Sequence, residues 1–147
     1  MSEHTTTGQR ISAASANAII TAAIEHAESA GGAFTIAVVD DSGVLKALTR
    51  MDGAPLLSIQ VAQDKAYTAV GFGMPSGGWH DFIKDDAPLA LGAPTGIDRL
   101  VIFAGGFPIV LDGEIVGAVG VSGGHYSQDA AVAQAGLAAI GAQLSDG

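Results

Sequence analysis

The chain has 147 residues, 15 acidic against 6 basic for a net charge of −9, and no cysteine. That length suits one compact domain, and the missing thiols exclude disulfides, zinc–thiolate sites, iron–sulfur clusters and covalent C-x-x-C-H haem attachment. Six scattered basic residues form no phosphate-neutralising patch, so nucleic acid is not an expected partner.

A mean hydropathy of +0.39 with only 14% charged residues is high for so small a domain. Apolar surface covered by further copies of the chain is therefore expected, as in a homo-oligomer. The start, "MSEHTTT", has no basic stretch followed by an apolar one, which argues against a secretory signal and for a cytoplasmic protein. The longest apolar run, 130–145, is broken by Gln134 and Gln143 and is too short to span a bilayer, so no membrane association is expected.

Residues 1–10 are polar and read as a flexible tail, leaving 11–147 as a single domain. Ser12 can cap a first helix running to about Ala30, where Gly31-Gly32 stops it; its apolar stripe is Ile19, Ile20, Ala23 and Ile24. "FTIAVV" from Phe34 and "VLKALTR" from Val44 read as two strands joined by an Asp40–Gly43 turn. A second helix is expected from about Pro55 to Val70, with Leu56, Ile59, Ala62, Ala66 and Val70 inward. Residues 71–99, punctuated by Pro75, Pro88 and Pro94, show no clear period and read as a long irregular connection with a short helix near Trp79–Lys84. Such a connection is usually functional or an interface.

"RLVIFAGG", "FPIVLDG" and "EIVGAVGVSG" then read as three strands, with Asp112-Gly113 as a hairpin turn. A last helix starts from Ser127 as N-cap, with Val132, Gly136, Leu137, Ile140 and Leu144 on its stripe. The order α-β-β-α-loop-β-β-β-α implies an α+β fold with a five-stranded antiparallel sheet.

Gly120-Val121-Ser122-Gly123-Gly124 matches G-x-S-x-G, the nucleophile elbow of α/β-hydrolases. The elbow needs a parallel strand before it and an acid and a histidine after it in that order. Here an antiparallel hairpin precedes Ser122, and His125 comes before Asp129, so the glycines read as structural, allowing close helix–strand approach and positive φ. Backbone N–H groups from Ser122 to Ser127 at a helix start can still hold an anionic ligand. The four histidines form no metal-ligand spacing. His26 flanks the apolar face of the first helix and reads as half-buried, while His80 and His125 lie in more open segments. Lys65, at the edge of the second helix's stripe, reads as a snorkelling side chain or, more sharply, as an anion-binding or acid/base group.

"AVVDDSGVLKALTRMDGA", "AQDKAYTAVGF", "GGFPIVLDGEIVGAVGVSGG" and "QDAAVAQAGL", in this order over about 11–145, resemble the GlcG/HbpS family of haem-binding-like proteins, also seen as the C-terminal domain of PduO-type proteins. The resemblance implies a profilin-like sheet with flanking helices, a homo-oligomer that commonly reaches an octamer, and haem or a related tetrapyrrole as cofactor. Two functions follow. One is haem or tetrapyrrole binding, with an iron ligand among His26, His80 and His125 and a cofactor site drawn from these together with Arg50, Lys65, Ser122 and Gly123. The other is a small catabolic enzyme in which Lys65, His80 or His125 acts on a carboxylated small molecule in a pocket at an oligomer interface.

Overall fold

A computed structural model describes residues 3–145. Helix α1 spans Ala13–Ala30, strands β1 and β2 span Thr35–Asp40 and Leu45–Arg50, and helix α2 spans Ser58–Phe72. Two further helices follow, α3 (Gly78–Ile83) and α4 (Ala87–Gly96). Strands β3 (Gly106–Leu111) and β4 (Glu114–Ser122) and helix α5 (Tyr126–Ala139) complete the chain. The four strands form one antiparallel sheet in the order β2-β1-β4-β3.

The sheet therefore has four strands among the described residues, and not the five expected. The run Arg99–Phe103 has strand-forming side chains, but its backbone groups bond elsewhere. Val101 N–H donates to the Thr68 hydroxyl, and the carbonyls of Arg99 and Phe103 accept from Thr68 and Ser76. Leu100 and Ile102 pack on a small cluster of Trp79, Ile83 and Ala93 instead of entering the sheet. Strand pairing begins only at Gly106, opposite Gly120.

The connection expected to be irregular holds α3 and α4. Pro88 and Pro94 read as breaks but are compatible with α4. Pro88 lies in its first turn, where its missing N–H is not needed, behind the Asp86 side chain that accepts from Leu89 N–H. Pro94 falls near the far end.

The hairpin turn stands as read, with Asp112 and Gly113 both at positive φ (50° and 80°). Ser12 caps α1 by accepting from Ser15 N–H, and Gly31 ends it in the left-handed region. Helix α2 starts later than expected, leaving Leu56 exposed ahead of it. The last helix is shorter than its apolar stripe, so Ile140 and Leu144 fall beyond its end, and Leu144 is exposed.

Three layers result. Helices α1 and α5 cover one sheet face, where Ile19, Ile20, Phe34, Ile36, Val38, Phe107, Ile109, Val119, Val121, Val132 and Leu137 form the main core. Helix α2 lies against the other face through small side chains, Ala66 and Ala69 meeting Val39 and Ala118. The approach is closest at Gly120, where a Cβ would stand 2.0 Å from the Ala62 carbonyl oxygen. Only a residue without a side chain lets backbone come that near backbone.

Candidate functional site

Close packing of α2 on β4 carries Lys65 into the interior. Its side chain is 0% exposed and does not snorkel. The ammonium donates to the carbonyl of Val121, at 2.9 Å, and to Asp129 Oδ2 on α5, at 2.8 Å. The other carboxylate oxygen, Asp129 Oδ1, accepts from Gly124 N–H at 3.0 Å. Gly105 and Gly106 leave the room this arrangement needs, since a Cβ at either would fall within 2.6 Å of Lys65 atoms. Burial pushes the Lys65 amine below its ordinary range and the Asp129 carboxyl above its own. The hydrogen bond and attraction between them oppose both shifts and hold the pair together. The Lys65 ammonium also lies 5.0 Å from the centroid of the Phe103 ring.

Beside Phe103 is a cavity of about 390 Å³, lined by Gly77, His80, Asp81, Ile102, Phe103, Ala104 and Tyr126. Lys65 and Asp129 thus hold two of its walls from behind, one through Phe103 and the other through the turn leading to Tyr126. A second cavity of about 340 Å³ opens on the opposite end of that turn, between His26, Phe34, Gly123, Gly124 and Gln128.

The predicted site residues therefore separate. His80 lines the first cavity, while His26 and Gly123 line the second. His26 is exposed, not half-buried, because it projects from α1 beside the buried Ala27. Arg50 binds neither cavity; its guanidinium donates twice to the Ala54 carbonyl, at 3.0 and 2.7 Å. Ser122 ends β4, antiparallel to its partner β1, and the His125 ring bonds Ser127 and not Ser122. No nucleophile elbow exists here.

His125 itself is the N-cap of α5, the role expected of Ser127. Its Nδ1 accepts from Ser127 N–H, and its own N–H donates to Gln128 Oε1. In this role Nδ1 is occupied by the helix end. Its ring lies 4.0 Å, centroid to centroid, from that of Tyr126.

Sequence reasoning missed Asp129, Phe103 and Tyr126. Asp129 lies 64 positions from Lys65, so no local spacing could have paired them. Among the described residues no group of three His, Asp or Glu side chains could hold a bare metal ion, and no helix is long and apolar enough to cross a membrane.

Comparison with known proteins agrees with the fold. Residues 11–138 match the family described as haem-degrading protein HbpS-like. Protein GlcG of Escherichia coli K12 is 38% identical over 107 residues, 73% of this chain and 77% of that protein. A crystal structure of HbpS from Streptomyces reticuli, a double mutant, superposes with a TM-score of 0.83 at 32% identity, covering 96% of this chain and 94% of that one. The crystal structure of a PduOC–haem complex gives a TM-score of 0.83 at 30% identity, covering 91% and 97%. With the four-stranded sheet, its flanking helices and nearly the whole length in agreement, the chain belongs to the HbpS-like family of haem-degrading proteins.

Proposed function

We propose that the protein binds haem in the cavity between α3, residues 102–104 and the start of α5, and that it works as a homo-oligomer. The observation that carries this reading is the presence of His80 and Tyr126 in one cavity whose other walls include Ile102 and Phe103. An imidazole nitrogen and a phenolate oxygen are both haem-iron ligands, and the apolar side chains suit a macrocycle face. Asp81 Oδ1 accepts from the Lys84 ammonium and stands 3.8 Å from His80 Nδ1, beyond hydrogen-bond distance, so it leaves the imidazole nitrogens unbonded to it.

The residues fit the iron and the ring better than they fit the propionates. No Lys or Arg lines the cavity, so the propionates would extend into solvent or toward a neighbouring subunit. Its volume lies near the low end of the roughly 300–1,000 Å³ of ligand sites, so an edge of the macrocycle would also remain outside. Haem, when bound, supplies the iron; the chain supplies a ligand and an apolar cover. The relative solved with haem supports the choice of ligand. The oligomer is supported by Leu56, Leu57 and Leu91, which are 74%, 79% and 77% exposed.

A catabolic enzyme acting on a carboxylated substrate draws less support. Lys65 reaches no cavity, and Arg50 is committed to the Ala54 carbonyl. Haemin titration followed in the Soret band distinguishes the readings. Saturable, stoichiometric binding is expected, with the band displaced in His80→Ala or Tyr126→Phe and unchanged in His26→Ala. A featureless wild-type titration, or a spectrum that only His26→Ala alters, would overturn the assignment.

A further inference from the structure

The cavity proposed for haem has a carboxylate in its lining, that of Asp81, and no Lys or Arg. Haem itself carries propionate carboxylates, and the chain has a net charge of −9. Repulsion therefore opposes binding unless a cation stands close to the mouth.

Five of the six basic residues are placed elsewhere. Lys65 is sealed against Asp129, and Arg50 is bound to the Ala54 carbonyl. Arg99 is held by Asp64 and the Tyr67 ring, and Arg10 faces Asp41 at the turn after β1. Lys46 is exposed on β2, at the opposite edge of the sheet from β3.

Lys84 is different. Its backbone N–H donates to the His80 carbonyl at 2.9 Å, closing the turn that ends α3 and setting the two side chains on one face. Its ammonium bonds Asp81 Oδ1 at 3.1 Å, and that same oxygen lies 3.8 Å from His80 Nδ1. The cation is thus held one carboxylate away from a ring proposed to ligate iron. The Lys84 and Asp81 side chains are 47% and 78% exposed, so their contact stands in water and exchanges readily.

Resting on haem as the ligand of this cavity, we infer that Lys84 determines which tetrapyrrole it accepts. Lys84 turns from Asp81 to a propionate of the bound haem, and so favours macrocycles with free carboxylates over esterified or amidated ones. Asp81 works against that choice, both by holding Lys84 in the free protein and by repelling the incoming carboxylate.

Haemin and haemin dimethyl ester are the probes, titrated into the full chain and followed in the Soret band. Lys84→Met should weaken haemin binding about three- to fivefold at low salt, the scale of an exposed ion pair, and leave the ester unchanged. Asp81→Asn should strengthen haemin binding by a similar factor, again without effect on the ester. Both differences should fade near about 1 M salt, where charges are screened within about 3 Å. The Soret band should keep its position in both variants, since neither removes an iron ligand. Lys46→Met removes the same charge far from the cavity and should leave both affinities at wild type.

Equal losses for haemin and ester in Lys84→Met would overturn the inference, because they would show a packing role. Equal haemin losses in Lys84→Met and Lys46→Met would overturn it too, by assigning the effect to overall charge. So would an Asp81→Asn protein that binds haemin no better than wild type. In each case saturable wild-type binding with a band displaced in His80→Ala would leave haem as the ligand. A wild-type chain that takes up neither probe saturably would overturn both.

Discussion

Replacing Lys65 with methionine removes the ammonium but keeps most of the apolar stem. The Asp129 carboxylate then loses its 2.8 Å partner inside the protein and keeps only the Gly124 N–H. Breaking a buried pair on one side costs about 3–5 kcal/mol, because the remaining charge is neither solvated nor matched. Against a typical total stability of about 5–15 kcal/mol, that is a large share. For a chain of this length each kcal/mol moves the melting temperature by roughly 2–4 °C, so a drop on the order of 6–20 °C is expected. Asp129→Asn should cost a similar amount, since its amide would set a donor against the ammonium. The double variant Lys65→Met/Asp129→Asn contains no buried charge and retains an oxygen for Gly124 N–H. It should therefore lose about as much as one single variant and not the sum. Urea unfolding of the four proteins at one fixed concentration measures the cycle, the fixed concentration removing any linkage to assembly. Strictly additive losses, or single losses below about 1 kcal/mol, would refute the view that the two groups form one sealed unit.

Gly120→Ala places a Cβ 2.0 Å from the Ala62 carbonyl oxygen, so α2 must lift from β4; a loss of about 3 kcal/mol or more is expected in thermal or urea unfolding. Gly123→Val should also destabilise, by about 1 kcal/mol or more, because Gly123 has a φ of +139° and its Cβ would approach the Ala33 carbonyl oxygen to 2.7 Å. His125→Ala should cost about 0.5–2 kcal/mol as a lost helix cap, while the Soret band of the haemin-bound protein stays in place. Ser122→Ala should leave haemin affinity and melting temperature close to wild type, a null result that a nucleophile would not give.

Elements with a local signal could be read directly. Ser12, Gly31 and the Asp112-Gly113 pair carry their turn and cap chemistry in their own side chains, and each performs the role read from it. The sheet was overcounted because propensity does not say where a backbone bonds: Val101 and Ile102 are strand formers, yet Thr68 and Ser76 hold this segment off the sheet. Helix α4 was missed because prolines at its start and near its end hide a run that Asp86 caps. At the site, Lys65 and the glycine turn stood out by composition. Their meaning depended on Asp129, which only the tertiary fold brings to Lys65. His125 caps the last helix where Ser127 was expected to, since a histidine can replace serine wherever Nδ1 is left as an acceptor.

The cluster of Trp79, Ile83 and Ala93 is separate from the main core, and the segment bearing it joins the rest through the hydrogen bonds of Thr68 and of Ser76 to Gly106, the Arg99–Asp64 ion pair and the ring contact of Trp79 with Phe72. A unit of that kind opens at lower free energy than the whole chain, because it exposes far less apolar surface. The 390 Å³ cavity takes most of its lining from it. Ligand residence times would then follow the opening rate of residues 74–103, with the sheet and α2 intact throughout. Substitutions there could speed or slow exchange without moving the melting temperature.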